Sequence, residues 1–191
     1  MFTEKLFDFC QHLFPSLPYD VTESARKAIK EFQERQEKQS LTMQLLPEGL
    51  AQGDVFDKMP FLYMDNEGGV RKEKFNGMLL TNTCDNIHND YLLFAALRPL
   101  SDFKSNHDTI KAVKDNICFD FMYIDSMQTM DYYVDFTTIT TYSRELIQQG
   151  IEKGKITRVC SLSQVGYYFF ICKLTIFLMR WEDRTFNAQR V

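Results

Sequence analysis

The sequence predicts an α+β protein: a small, strongly curved β-sheet or partly open barrel with helices at either end. Three observations carry this. Short apolar runs separated by clusters of turn-forming residues fill the middle of the chain, from residue 55 to residue 97. Apolar residues recur at helical spacing near both termini. The 191 residues, 45% hydrophobic and 14% aromatic, are enough for one core without disulfide staples. Several short strands, with one helix among them and another at the end, suit a curled sheet whose closure buries its edges.

Residues 3–14 read as a short helix, with Thr3 as its cap and Leu6, Cys10, Leu13 and Phe14 on one stripe, ended by Pro15 and Pro18. A second helix opens at Asp20-Val21-Thr22-Glu23, a capping-box arrangement, and carries Val21, Ala25, Ala28, Ile29 and Phe32 at helical spacing. Its charged tail, residues 33–39, reads as a solvated helix face. Together they form an N-terminal helical extension, residues 1–46, preceding a barrel domain at residues 47–191.

Past Pro47 and Gly49 the periodicity changes. Val55, Phe61, Tyr63, Met78, Leu80, Leu92, Phe94 and Ala96 fall in short runs broken by Asp65-Asn66-Glu67-Gly68-Gly69 and Asp85-Asn86-Ile87-His88-Asn89. Further strands are expected at 117–124, 131–140 and 156–160. Helices are expected at 105–115, 143–152 and 163–179, the last with Ser163 as its cap. The longest apolar segment, 167–179, has 13 residues and contains Lys173. A membrane-spanning helix needs about 20, so the segment reads as a buried helix, and no membrane association is expected.

The five cysteines, Cys10, Cys84, Cys118, Cys160 and Cys172, are scattered and never in Cys-x-x-Cys spacing, which indicates neither a disulfide framework nor a zinc site. With no secretory signal apparent at the N-terminus, a cytoplasmic location is expected. The formal charge is −4, and residues 102–135 hold seven Asp against three Lys. An acidic surface repels phosphates at long range, which disfavours strong nonspecific nucleic-acid binding unless basic residues gather locally. Arg71, Lys72 and Lys74 are such a cluster.

The compact polar cluster Thr81-Asn82-Thr83-Cys84-Asp85 sits where a buried strand leaves the core, a place where polar side chains are held rigidly at a surface. Its ordinary reading is hydrogen bonding of Thr81, Asn82 and Asp85 to the backbone of the turn. Its sharper reading is a ligand site. Cys84 with Asp85 and His88 invites a nucleophile and base, because a thiol needs a neighbouring base to ionise at neutral pH. Neighbours in an extended segment diverge, however, so Cys84 reads as a buried structural cysteine. His12, His88 and His107 are far apart in sequence, so no metal site and no cofactor are expected. Gly68-Gly69 fits a turn, not a phosphate loop. Tyr132-Tyr133 and the run from Tyr167 to Phe170 lack interleaved basic residues and read as core, while Arg98-Pro99 ends a strand and either presents a cation or holds an ordinary snorkelling or rim salt-bridge arginine.

The succession Gln52-Gly53-Asp54-Val55, then Gly77-Met78-Leu79-Leu80-Thr81-Asn82-Thr83-Cys84-Asp85, then Tyr91-Leu92-Leu93-Phe94-Ala95-Ala96-Leu97 resembles the SH3-like barrel of the MazF and PemK toxins. It is also similar to a bacterial and phage group sharing a strand followed by Ser/Thr-x-Ser/Thr-Cys-Asp. The resemblance covers residues 52–179 and leaves the N-terminal helices outside. It implies an SH3-like barrel with a C-terminal helix, in a toxin-antitoxin or phage-defence setting. The implied activity is metal-independent endoribonuclease chemistry, in which an arginine stabilises charge on the phosphate and a Ser/Thr lies nearby. It also implies an RNA substrate, an antitoxin-like protein partner and a homodimer.

On this resemblance Thr81, Asn82 and Asp85 are the expected catalytic residues, Thr81 matching the Ser/Thr position. The family's arginine aligns with Asn76 and its following proline with Gly77, so Arg71, Lys74 or Arg98 is expected to contact the substrate instead. The alternative is a noncatalytic barrel that binds a protein partner through its N-terminal helices.

Overall fold

The computed structural model describes residues 41–43, 45–46, 49–127 and 130–179. The two helices expected within residues 3–39 lie outside them. Among the described residues there are seven strands: β1 (Thr42–Met43), β2 (Val55–Met64), β3 (Val70–Leu79), β4 (Tyr91–Pro99), β5 (Phe121–Met127), β6 (Met130–Ser143) and β7 (Arg158–Leu162). The helices are α1 (Asp85–His88), α2 (His107–Lys114), α3 (Arg144–Glu152) and α4 (Gln164–Met179). Every pairing is antiparallel, and the order β7-β2-β3-β4-β6-β5 forms a six-stranded curled sheet, a half-barrel, with β1 added outside β7. Through its Thr42 to Leu162 pairing, β1 brings part of the expected N-terminal extension into the sheet.

The β2–β3 hairpin follows from its turn chemistry. The Asp65 carboxylate accepts the backbone N–H of Glu67 and of Gly69, and Gly68 takes φ +81, a left-handed conformation that costs glycine little. The curl begins at Lys58, whose φ is +58 in a register shift between Phe56 and Met59. Before that bulge β2 pairs with β7, at Val55 and Phe56; beyond it no β7 pairing continues. The sheet then bends far enough for the Tyr142 hydroxyl on β6 to donate to the Pro60 carbonyl on β2, across the two intervening strands.

Alternation along the strands loads both faces. Phe56, Met59, Phe61, Phe94, Ala96 and Tyr142 fill the inside of the curl, and Ile147 of α3 packs against them. The rings meet edge to face, with Phe56 to Phe94 at 5.4 Å and Phe94 to Tyr142 at 5.6 Å. Each fully buried phenylalanine contributes about 1.5–3 kcal/mol by leaving water. Val55, Met78, Ala95, Leu97, Met122 and Val134 point to the other face, where Phe170 of α4 packs.

Three strand boundaries, one added helical turn and one helix's burial differ from the sequence expectation. The strand expected from residue 117 starts at Phe121, because Asn116 adopts φ +56 and the Ile117 N–H returns to the Ala112 carbonyl, closing α2. The strand expected from 156 starts at Arg158, since the N–H groups of Lys155 and Ile156 both bond the Gly150 carbonyl at the end of α3. β6 runs on to Ser143, paired with Tyr91. Residues 85–88 form one helical turn, because the Asp85 and Asn86 N–H groups both reach the Asn82 carbonyl. α4 begins as expected, with the Ser163 hydroxyl accepting the Gly166 N–H, but Leu178 and Met179 at its end are exposed. No helix of the described residues is long and apolar enough to cross a membrane.

One buried ion pair ties the sheet to the segment before it. Asp54 is fully buried; its carboxylate accepts from the Ala51 N–H and the Ser161 hydroxyl and lies 3.1 Å from Arg158 Nε. The Arg158 guanidinium in turn donates to the Gly49 and Leu46 carbonyls. Asp54 of the Gly-Asp-Val motif is thus a clasp, not a surface group.

Candidate functional site

The cluster at residues 81–85 is a knot of local hydrogen bonds. The Thr81 hydroxyl accepts the Leu93 N–H at 2.8 Å, extending the β3–β4 ladder by one side-chain rung. Asn82 Oδ1 accepts the Cys84 N–H at 2.9 Å, an Asx turn. The Thr83 hydroxyl accepts the Gln52 N–H at 3.0 Å. Gln52 donates from Nε2 to the Leu80 carbonyl and accepts the Tyr167 hydroxyl, tying the knot to α4. Buried Asn86 donates to the Leu50 carbonyl.

Asp85, Cys84 and His88 are exposed around this knot. Cys84 is therefore not the buried structural cysteine expected: it lies at φ −65 and ψ −35, capping α1, so the chain there is helical and not extended. Among the described residues no group of three His, Cys, Asp or Glu side chains is arranged to hold a metal ion.

A different grouping occupies the far end of the β2–β3 hairpin. The register sets Tyr63 opposite Arg71, Phe61 opposite Glu73 and Met59 opposite Phe75, all on the inner face. Burial falls along this row, from Met59 and Phe61, wholly buried, to half-buried Tyr63 and Phe75 and exposed Arg71 and Glu73. The Tyr63 hydroxyl donates to the Glu73 carboxylate. That bond chiefly holds the phenol above its usual pKa, against the nearby positive charges of Arg71 and Arg98, which lower it. Arg71 Nε pairs with Asp65 at 2.9 Å and holds that carboxyl below its usual range.

Arg98 closes the grouping from β4. Its guanidinium carbon lies 4.1 Å from the Phe75 ring centroid, within cation–π range. Nε stands 3.3 Å from Asp135 Oδ2, shielded from solvent and off the hydrogen-bond line, and Nη2 donates to the Thr138 hydroxyl at 3.3 Å.

The structure thus brings Arg71 and Arg98 together around Tyr63 and Glu73, and sets Thr81, Asn82 and Asp85 apart from them. Arg71 and Thr81 lie at opposite ends of β3, ten residues or about 33 Å of extended chain apart. Lys74 and Lys72 pair with Pro60 and Leu62 and point to the ribbon's outer face, away from Tyr63. Tyr63, Glu73 and Phe75 were not singled out as site residues. Counting back evenly from the Asp65 to Gly69 turn opposes Tyr63 to Arg71, so that pair was available in the pattern. Asp135 and Thr138 carried no such signal, because a bulge puts them in place.

Fold and site together define an α+β half-barrel whose open end carries two arginines, a phenol, a carboxylate and an aromatic ring. Comparison with protein-family models and with curated proteins finds no match.

Proposed function

We propose that this protein is a MazF-like SH3 barrel acting as a metal-independent endoribonuclease, in the cytoplasm of a bacterial toxin-antitoxin or phage-conflict system. The observation that carries the reading is the row on the inner face of the β2–β3 hairpin, where Tyr63 stands opposite Arg71 and donates to Glu73 while Arg98 stacks on the next residue of the row, Phe75. Attack of a ribose 2′-hydroxyl on the adjacent phosphate needs a base for the hydroxyl proton, cations for the charge gathering on phosphate oxygens, and a proton for the departing 5′-oxygen. Glu73, held by the Tyr63 phenol that donates to it, accepts the 2′-hydroxyl proton, the arginines take the charge, and solvent at the open end protonates the departing 5′-oxygen. The products are a 2′,3′-cyclic phosphate and a 5′-hydroxyl.

Induced expression in a bacterial host, with growth and total RNA integrity read together, tests this. Wild type is expected to arrest growth and cleave RNA, Arg98→Ala to do neither, and Thr81→Ala to behave as wild type. Loss in Thr81→Ala alone moves the site back to Thr81, Asn82 and Asp85; intact RNA with wild type overturns the enzyme.

A second reading is favoured by one observation: Thr81, Asn82 and Thr83 all spend side-chain acceptors on backbone N–H groups. In that reading the barrel is a noncatalytic module, and the N-terminal helices engage a partner protein. Deleting residues 1–40 then abolishes partner binding, whereas it leaves an enzyme's cleavage intact.

A further inference from the structure

Arg98 is held by a purpose-shaped irregularity in the sheet. Along β4 and β6 the pairing runs regularly to Ala95 opposite Ile139, then jumps to Ala96 opposite Asp135. Residues 136–138 of β6 are the extra residues. Bulges of this kind re-aim side chains and occur near active sites more often than elsewhere. Here the displaced loop folds under the Asp135 carboxylate, which accepts the Thr137 N–H at 3.0 Å, the Thr137 hydroxyl at 2.6 Å and the Thr138 hydroxyl at 2.9 Å. Asp135 is only 7% exposed. Its Oδ2 faces Arg98 Nε, and Thr138 serves both partners, donating to Asp135 and accepting from Arg98 Nη2. With Phe75 beneath the guanidinium plane, the cation is fixed on three sides.

We propose that Asp135 is a positioning residue, and that the 135–138 bulge presents the free edge of Arg98 to a phosphate oxyanion at the open end of the half-barrel. This rests on reading that end as a phosphate-handling site. A guanidinium has five N–H donors, and the contacts to Asp135 and Thr138 engage one side of it, which leaves the Nη1 edge for a ligand. Arg71 across the hairpin adds a second cation, and a guanidinium already held in place loses less freedom when the anion arrives.

Two explanations of Asp135 predict opposite results. If its negative charge merely sits beside Arg98, its removal strengthens phosphate binding. If it aims Arg98, its removal weakens binding although the site becomes more positive.

The experiment is a titration of the full chain with inorganic pyrophosphate, followed by the Nε–Hε signals of 15N-labelled arginine side chains. A single-stranded RNA oligonucleotide is tested for cleavage in parallel. Wild type is expected to show a saturable shift of the Arg98 signal. Asp135→Asn is expected to bind about tenfold more weakly, through the loss of one close ion-pair contact to the guanidinium, with faster exchange of the Arg98 proton and an unchanged backbone spectrum. Thr138→Val, which removes a smaller part of the holder, is expected to move the same signals in the same direction and serves if Asp135→Asn does not fold.

Unchanged or tighter binding in Asp135→Asn, or no Arg98 response in wild type, overturns the proposal. RNA cleavage that ignores Asp135 sinks the positioning role and leaves the endoribonuclease standing. Phosphate binding that depends on Asp135, with RNA left intact, does the reverse.

Discussion

Lys58 holds the least comfortable backbone conformation of β2. A side chain at φ +58 costs about 1–2 kcal/mol, and Lys58's ion pair with Asp57, at 3.4 Å and largely exposed, offsets little of it. Lys58→Gly removes the steric term but adds unfolded-chain entropy. A net gain of about 0.5–1 kcal/mol is therefore expected, read as a higher urea midpoint with unchanged slope.

Lys173 sets a second residue-scale expectation. The residue is 2% exposed, its ammonium donates to the Asn116 and Cys118 carbonyls, and burial pushes its pKa down to about 8 from 10.5. Between those values the unfolded chain carries the extra proton, so this group makes the fold more stable as pH rises from about 8 towards 10.5. Cys160 and Tyr142, pushed by burial up to about 11 and about 12, work the other way above pH 9. Relative to Lys173→Met, wild type should therefore gain stability as pH rises from 8 to 10.5, read in paired denaturation curves. A parallel pair of curves refutes the depressed ammonium.

Among the elements, β7 and the segment before β2 depend on one another through the buried clasp. Asp54→Asn leaves the Arg158 charge largely buried and without its counter-ion, which is expected to cost about 3–5 kcal/mol. Thermal unfolding of the variant checks this, and a loss below about 1 kcal/mol denies the clasp its role. α4 meets the residue just before β1 as closely as backbone allows: a methyl group at Gly166 would lie 2.0 Å from the Leu41 carbonyl oxygen. The hairpin turn and the Ser163 cap of α4 were legible in the sequence, because each is a contact between residues two to four apart. The late starts of β5 and β7 were not. Both depend on how a helix ends, and on which carbonyl a given N–H finds there.

For the molecule as a whole, removal of residues 1–40 is expected to leave the half-barrel folded, because among the described residues the contacts within each core already join distant strands and helices. Circular dichroism and a retained cooperative transition check this; collapse of the transition would give those residues a part in the core.

The sequence by itself determined the α+β class, the order of elements from residue 55 to the end of α4 apart from α1, and the presence of cations at Arg71 and Arg98. Period, turn chemistry and caps act over a few residues and are visible in one dimension. Only the tertiary structure decided that Thr81 and Arg71 stand at opposite ends of one strand, that Cys84 is exposed, and that Asp135 and Thr138 hold Arg98. Those facts depend on where the sheet curls and where β6 slips three residues against β4. Such a slip is the combined outcome of packing on both faces, and no local pattern records it.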